Sequence, residues 1–499
     1  MAALLALLPI LVVLILMVVF KWSSVQAGFA GWVAGVIIAL LAFGLNFDVF
    51  WVSQVKGLLL TLNVMLLLWP GILLYNIVDQ VGGIRAIAVA FQRMVRDHGW
   101  LLIMQGWMLS GLVESVAGFG LPIAIVSPLL ISFGVSPILA VSTTAVGHTW
   151  AGSTGGMALS LRLMADITRH TPEELFPASA LLLGLLIILS GLAVAIMLKQ
   201  TRHWWRVLIA GTVTAVVHYF AGMLGAIQVS ALIAGVAGFL TGTALNRTPR
   251  ETRGSREINP ALEAGEIGYG VLIAVMLTVA LIHPVNAFLG QTTWTLQFPA
   301  VSTPGGILTP AESGYVFHVF SHPGTLTLFT IALTLLIYRL KPAIPRVDVG
   351  KALQSTARSG IRASLGTLFM VGLSTTMEHT GMTQTLATTL GVLVNGSYPL
   401  FSPLIGVIGS FATGSNVSSN VLFGLLQDKV AVLVGAAPAM VLAAQTTGGA
   451  LGSSVAPAKL ALGTSTSEAR GHEGEVLRNT LPYAVAIAVI IGIVTLVIS

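Results

Sequence analysis

The stretch Gly111-Leu-Val-Glu114-Ser-Val-Ala-Gly118-Phe-Gly120-Leu-Pro122 places a carboxylate, three glycines and a proline inside an apolar run long enough to cross a bilayer. A charge at that depth costs at least about 2.5 kcal/mol, and Gly and Pro interrupt the helix that would otherwise satisfy the backbone. Such a segment is tolerated only where it faces a polar cavity. Interrupted helices of this kind are where transporters hold their substrates, because freed amides and helix ends become ligand groups.

The rest of the chain agrees with a membrane setting. Of 499 residues, 55 % are hydrophobic and only 8 % charged. Apolar runs of about 20 residues recur throughout, which reads as an all-α polytopic membrane protein. The net charge of +6 does not indicate nucleic acid, because the basic residues sit in short loops and no aromatic-basic groove accompanies them. The absence of cysteine excludes disulfides, thiolate nucleophiles and Cys-based metal sites. No HExxH or GxSxG motif is present, which argues against a membrane-embedded enzyme; Glu114 with His148 is the one acid–base pair such an enzyme could use. Nothing in the pattern calls for a cofactor or a metal.

Twelve crossings are predicted, at about 2–20, 25–46, 57–78, 138–165, 177–198, 204–222, 226–245, 267–286, 323–339, 361–378, 438–465 and 480–498. Residues 2–20 lack the basic start and small-residue cleavage site of a signal peptide and are read as the first crossing. Segments 100–135 and 400–427 are broken in the middle and are expected to enter and leave on one side, as re-entrant hairpins. With both termini outside a cytoplasmic membrane, all 24 Lys and Arg fall inside except Lys56, Arg162, Arg169 and Lys429, which fall outside, and Lys459, which lies in a crossing. That distribution supports the count of crossings.

The chain also repeats itself weakly at a shift of about 301 residues. Glu114-Ser115 lies over Ser415-Asn416, Gly134-Val-Ser-Pro137 over Gly435-Ala-Ala-Pro438, and Thr144-Ala-Val-Gly147 over Gln445-Thr-Thr-Gly448. Asp79-Gln-Val-Gly82 similarly matches Glu378-His-Thr-Gly381. A basic cluster (Arg85, Arg93, Arg96) follows the first acidic helix end, whereas the matching cluster (Lys351, Arg358, Arg362) precedes the second. Matched helices are therefore expected to run in opposite directions, as an inverted repeat whose broken segments meet near the midplane. The domain plan that follows is 1–56, N-terminal helices; 57–200, repeat 1; 201–245, connecting helices; 246–266, cytoplasmic linker; 267–340, connecting helices with an outer loop at 283–322; and 341–499, repeat 2. The linker carries four arginines and four glutamates and reads as a solvated connector, while 84–97 reads as an interfacial helix.

Four polar clusters occupy repeat-matched places. They are the Glu114–Pro122 tip, the stretch 147–156 expected to unwind crossing 138–165, the run 413–420, and Gln445–Gly449 leading to Ser454, expected to unwind crossing 438–465. Small hydroxyls and amides between glycines offer donors to an anion and carbonyls to a cation. Glycines also allow close helix packing, so it is the matched pairing that favours a cavity. Candidate substrate contacts are Ser115, Gly118, Gly120, Thr149, Ser415, Asn416, Ser418, Ser419, Asn420, Gln445, Thr446, Thr447 and Gly448. Glu114 is the candidate proton carrier, because desolvation disfavours its charged form; the competing reading is a helix cap. His148 is the candidate helper, although a buried histidine held by a carbonyl is the commoner case.

At these residues the chain resembles the L-lactate permease family, whose members carry a Glu-Gly-Ala-Ala-Gly-Phe-Gly-x-Pro segment early and a Thr-Gly-Ser-Asp-x-Ser-Ser-Asn segment late. Here they read Glu114-Ser-Val-Ala-Gly-Phe-Gly-Leu-Pro122 and Thr413-Gly-Ser-Asn-Val-Ser-Ser-Asn420, followed by a family-like Thr446-Thr-Gly-Gly449. The resemblance runs from Trp69-Pro70 to the last helix. It implies a proton-coupled importer of small 2-hydroxy monocarboxylates, chiefly L-lactate, D-lactate and glycolate. It also implies an elevator arrangement of scaffold and transport domains with paired hairpins. Three positions depart from the pattern: Asn416 stands where an acid is expected, His148-Thr149 where relatives tend to have Asn-Thr, and Lys459 replaces a lysine expected near Ser453. The expected partners are thus a hydroxy monocarboxylate, protons and the lipid bilayer, with no nucleic acid. A sodium-coupled carrier of another organic anion stays open as the alternative, and a homodimer is the oligomer to test.

Overall fold

The computed structural model describes residues 1–92, 95, 97–117, 121–246, 259–313 and 316–499. The described chain is almost wholly helical. The first helices are α1 (Ala2–Val18), α2 (Ser24–Ala42), α3 (Phe47–Gln80) and α4 (Gly83–Gln92). Then follow α5 (His98–Met104), a π-turn at Gln105–Leu109, α6 (Ser110–Ala117), α7 (Leu121–Ser132), α8 (Pro137–Gly147), α9 (Gly155–Thr168) and α10 (Pro172–Met197). The middle of the chain forms α11 (Trp204–Ala221), α12 (Ser230–Ala244), α13 (Pro260–Leu281), α14 (His283–Leu289) and α15 (Pro323–Leu340). The second half forms α16 (Val349–His379), α17 (Met382–Val394), α18 (Tyr398–Thr413), α19 (Asn416–Val434), α20 (Pro438–Ser454), α21 (Pro457–Thr466) and α22 (Glu473–Ile498).

Among the described residues, nine helical segments are long and apolar enough to cross a membrane. Twelve crossings are predicted from sequence, and the two sets differ in membership as well as number: Thr201–Ala244 counts once where two crossings are predicted, Ala2–Val18 is too short to count and 361–378 does not count, while Met382–Thr413 and Asn416–Val434 count although 400–427 is expected to be re-entrant. The stretches 138–165 and 438–465 each divide into two helices, α8 with α9 and α20 with α21. At about 1.5 Å per residue none of these four spans 30 Å of hydrocarbon alone. In the other direction, α3 (34 residues) and α16 (31 residues) run well past their predicted apolar cores at 57–78 and 361–378. Polar ends hidden from a hydropathy reading extend both helices. The loop 283–322 is not irregular throughout: it holds α14 and three short antiparallel pairings, Thr293–Trp294 with Phe317–His318, Gln297–Phe298 with Glu312–Ser313, and Val301–Ser302 with Leu308–Thr309. Linker residues 247–258 lie outside the described residues, as do 93, 94 and 96 of the expected interfacial helix, of which α4 is the described part.

Helices at a shift near 300 residues correspond in order: α3 with α16, α4 with α17, α7 with α19, α8 with α20, α9 with α21 and α10 with α22. Positive-φ glycines recur at the same places, Gly82 with Gly381 and Gly134 with Gly435. Contacts between copies are exchanged in pairs. Helix α10 packs on α20 as α22 packs on α8, and α9 packs on α19 as α21 packs on α7. The matched long helices α3 and α16 lie side by side and antiparallel: Gln54 bonds Thr376, Trp69 bonds Ser364, Asn76 bonds Thr356 and Gln80 bonds Asp348.

In lipid, close approach through small residues takes the place of a hydrophobic drive. A Cβ on Gly57 would stand 3.5 Å from the Gly372 Cα, and one on Gly448 only 1.9 Å from the Pro403 carbonyl oxygen, so these glycines let α3 meet α16 and α20 meet α18. Large apolar side chains such as Phe29, Leu40 and Val392 remain exposed on the outside, where acyl chains would cover them. Tryptophans anchor the first broken segment from within. Trp107 donates to the Ile187 carbonyl at 3.0 Å and Trp100 to the Gly242 carbonyl at 2.8 Å.

Candidate functional site

Both copies break their helices at the centre of the molecule. In the first, α8 ends at Gly147, a short 3₁₀ turn covers Thr149–Ala151, and Gly156, Met157 and Ala158 follow with φ of 53°, 61° and 59°. Gly156 takes this conformation freely, but Met157 and Ala158, which carry side chains, each cost of order 1–2 kcal/mol there and persist only where packing imposes them. A Cβ on Gly155 would sit 2.9 Å from the Glu114 carbonyl oxygen, so the break seats itself against the end of α6. In the second copy, α18 ends at left-handed Gly414, and Ser415 caps α19 by accepting from the Ser418 amide at 3.3 Å. In crossing 438–465 the helix breaks at Val455-Ala456, where the residue before Pro457 is turned to extended geometry, while the polar cluster Gln445–Gly449 stays helical.

These breaks surround a cavity of about 250 Å³ lined by Glu114, Gly152, Gly155, Gly156, Ser160, Gly414, Ser415, Asn416, Ser453 and Lys459, among others. Glu114 is 6 % exposed, and its Oε2 has no hydrogen-bond partner. Lys459 Nζ donates to Ser453 Oγ at 3.1 Å. The first-turn amides and positive dipole end of α19 lie at the same wall. The cavity therefore presents an ammonium, hydroxyls and a helix N-terminus beside one carboxyl group.

Of the residues predicted from sequence, Glu114, Ser415 and Asn416 line this cavity. Asn416 Nδ2 faces Ser153 Oγ (3.0 Å), the Thr446 carbonyl (3.1 Å) and the Gly152 carbonyl (3.2 Å), while its Oδ1 is unpartnered. Asn420 donates to Thr446 Oγ1 at 2.9 Å and to the Ser160 carbonyl at 3.0 Å. Gln445 Nε2 donates to Ser419 Oγ at 3.1 Å, and its Oε1 accepts from Gln427 at 2.8 Å. Asn420, Gln445, Thr446 and Ser419 thus form a bonded, buried layer behind the wall, and Ser418, also buried, gives its amide to Ser415 Oγ. Three others turn to their own helices: Ser115 to the Leu112 carbonyl, Thr149 to Val146 and Thr447 to Ala443. Gly448 serves the α18–α20 approach. His148 Nδ1 pairs with the Thr144 carbonyl at 2.8 Å, and Nε2 is buried without a partner. Gly118 and Gly120 lie outside the described residues.

Two features escape the sequence reading. Ser153 sits within a quoted cluster yet is not singled out, although its hydroxyl donates to the Thr446 carbonyl at 2.9 Å. A second polar chain joins α9 to α3 and α15: Asn63 donates to Asp166 Oδ2 at 2.7 Å, and its Oδ1 accepts from His322 Nε2 at 2.9 Å. The signal was available in Asn63 and Asp166, polar residues within or beside predicted crossings.

A multi-pass helical membrane protein with a polar, cation-bearing cavity between repeat-matched helix breaks has the build of a small-anion transporter. Residues 2–499 match the L-lactate permease family model, and the chain belongs to that family. Among its relatives, the glycolate permease GlcA of Escherichia coli (strain K12) is 25 % identical over 563 residues, covering 99 % of this chain and 95 % of that protein. The L-lactate permease of Bacillus subtilis (strain 168) is 26 % identical over 545 residues, again covering 99 % and 95 %. The crystal structure of the Alcanivorax borkumensis YdaH transporter superposes with a TM-score of 0.50 at 15 % identity, over 89 % of this chain and 87 % of that one, a likeness of fold alone.

Proposed function

We propose that this chain is a proton-coupled carrier that takes L-lactate and related small 2-hydroxy monocarboxylates, D-lactate and glycolate among them, across the cytoplasmic membrane. The observation that carries the reading is the cavity, where Lys459 and the start of α19 face the unpartnered Oε2 of Glu114. A carboxylate ligand suits Lys459, Ser415 and the first-turn amides of α19, since a cation and helix N-terminal amides both favour an anion. The 2-hydroxyl suits Ser453 and Glu114. Binding the anion beside a carboxylate favours Glu114 in its protonated form, which is the physical basis for symport: substrate and proton each make the other's binding more favourable. His148, buried with a free Nε2, supports the proton's passage.

The buried layer of Ser418, Ser419, Asn420, Gln445 and Thr446 orients this wall rather than touching substrate. In the same reading α3 and α16 form the scaffold, and the broken segments with α9, α20 and α21 form a block that moves across it, with both termini outside. Counterflow of radiolabelled L-lactate in proteoliposomes tests the substrate. Saturable exchange is expected, and no exchange of any short hydroxy acid would end the proposal. Replacing sodium in the same buffers is expected to leave uptake unchanged, while collapsing the pH gradient abolishes accumulation.

A further inference from the structure

The two copies are not in equivalent states. Asp79 and Glu378 are repeat-matched acids at the ends of α3 and α16, each three residues before a left-handed glycine, Gly82 and Gly381. Because α3 and α16 are antiparallel, these acids lie at opposite ends of the scaffold pair. Arg169 and Arg470 are matched in the same way, each three residues before the first residue of a long helix, Pro172 of α10 and Glu473 of α22.

At the Glu378 end the contact is made. Arg169 Nη2 lies 3.2 Å from Glu378 Oε1, and α17 packs along α19. At the Asp79 end the corresponding contact is open. A cavity of about 370 Å³ separates Asp79, Gly82 and Arg85 from Ile125 and Pro128 of α7. Among the described residues, Asp79 has Arg85 beside it in the same cavity but makes no ion pair within 4 Å, and Arg470, which is exposed, makes none either. Helix α21, which leads to Arg470, is seated on α7, where a Cβ on Gly463 would come within 2.3 Å of Ile123. Closing the gap between α7 and the end of α3 would therefore carry Arg470 toward Asp79.

We propose that Arg169–Glu378 and Asp79–Arg470 are two alternating ion-pair latches, the first holding the state seen here and the second holding the opposite state. The inference rests on the reading of the repeat as a scaffold with a moving block. Duplication supplies the same acid and the same arginine at both ends, and antiparallel scaffold helices ensure that a rigid block satisfies only one pair at a time. Exposed pairs are individually weak, so each latch biases an equilibrium without locking it.

The chain has no cysteine of its own, so pairs introduced as R169C/E378C and D79C/R470C report without background. In proteoliposomes both pairs are expected to cross-link with a short bifunctional reagent, identified by mass spectrometry of the joined peptides. In the fourfold variant, prior closure of 169 to 378 should reduce the yield of 79 to 470 at least tenfold. A 79–470 pair that never joins, or both links forming in the same molecules, would overturn the proposal. If a cysteine pair fails to insert, charge reversal replaces it: R470D is expected to slow exchange several-fold and D79R/R470D to restore it, and absence of rescue counts against the latch. The cross-linking readout needs no substrate, so failure of lactate exchange with alternating links would remove the transport assignment and leave the latch standing.

Discussion

Asn416 Nδ2 donates to Ser153 Oγ at 3.0 Å, tying the start of α19 in one copy of the repeat to the broken segment between α8 and α9 in the other. The same amide faces the Thr446 carbonyl at 3.1 Å, so one side chain closes three elements around the cavity. Asn416→Ala removes the side-chain donor to the Gly152 carbonyl and breaks the link between the three elements, while Ser153 and Thr446 keep their bonds to each other, at about 1–3 kcal/mol. A lowered midpoint in thermal unfolding of the detergent-solubilised protein is expected, together with loss of lactate exchange. Asn416→Asp should be worse at neutral pH, because a carboxylate oxygen would then face the Gly152 and Thr446 carbonyls. Its exchange should recover on acidification, and a flat pH profile for that variant would contradict this geometry.

Glu114→Gln keeps the shape of the cavity and removes the exchangeable proton. Accumulation of lactate driven by an imposed pH gradient is expected to vanish while counterflow exchange persists. Undiminished accumulation in the variant would transfer the proton to another group.

Lys459 supplies the cavity's ammonium, held by Ser453 at 3.1 Å. A charge-assisted bond to a substrate carboxylate is worth about 1.5–3 kcal/mol, so Lys459→Met should raise the KM for lactate roughly 10- to 150-fold. Lys459→Arg should recover part of that loss. Equal KM values for Lys459→Met and the unaltered protein would place the carboxylate elsewhere.

Glycine spacing separates packing from ligand roles. Gly448→Ala sets a methyl 1.9 Å from the Pro403 carbonyl oxygen, a backbone clash that nothing local relieves, and should destabilise the α18–α20 pair by several kcal/mol. Gly156→Ala meets open space, and its cost is confined to the left-handed backbone, about 1–2 kcal/mol. Thermal unfolding of the two variants side by side should rank them in that order.

What the sequence made legible follows from what breaks helices. Gly414, Gly155-Gly156 and the residues before Pro457 interrupt the backbone, and all three interruptions fall at or near the polar clusters that mark them in the sequence. The repeat was visible because Gly82, Gly381, Gly134 and Gly435 keep positive φ that other residues rarely adopt. The left-handed turn at Met157-Ala158 was not visible, since neither residue favours that conformation and tertiary packing alone imposes it. Nor was the division of labour among Ser415 to Asn420. Residues four apart share one face of a helix, so Asn416 and Asn420 both turn toward Thr446 of α20; Ser415 and Asn416 also reach the cavity because they stand at the open start of α19, one turn before Ser419 and Asn420. Lys459 reaches the wall only because the chain turns at Val455-Ala456 and brings α21 back alongside it.

Asp97 tests how the first broken segment is held at its entry. Its carboxylate caps α5 by accepting from the Trp100 amide at 3.1 Å and lies 3.3 Å from Arg202, 3.4 Å from His203 and 3.7 Å from Arg206. Burial pushes this carboxyl up, but the Trp100 amide and the three basic neighbours outweigh it and hold it below its usual range. A depressed carboxyl stabilises the fold above its unfolded value, and that contribution is lost as pH falls through the folded one. The thermal midpoint of the unaltered protein should therefore drop on acidification below the ordinary carboxylate range by more than that of Asp97→Asn. The variant keeps a weaker cap but no titrating charge, so its own loss over the same interval should be smaller. Parallel pH dependences in the two proteins would show that the cluster does not tie α5 to the start of α11.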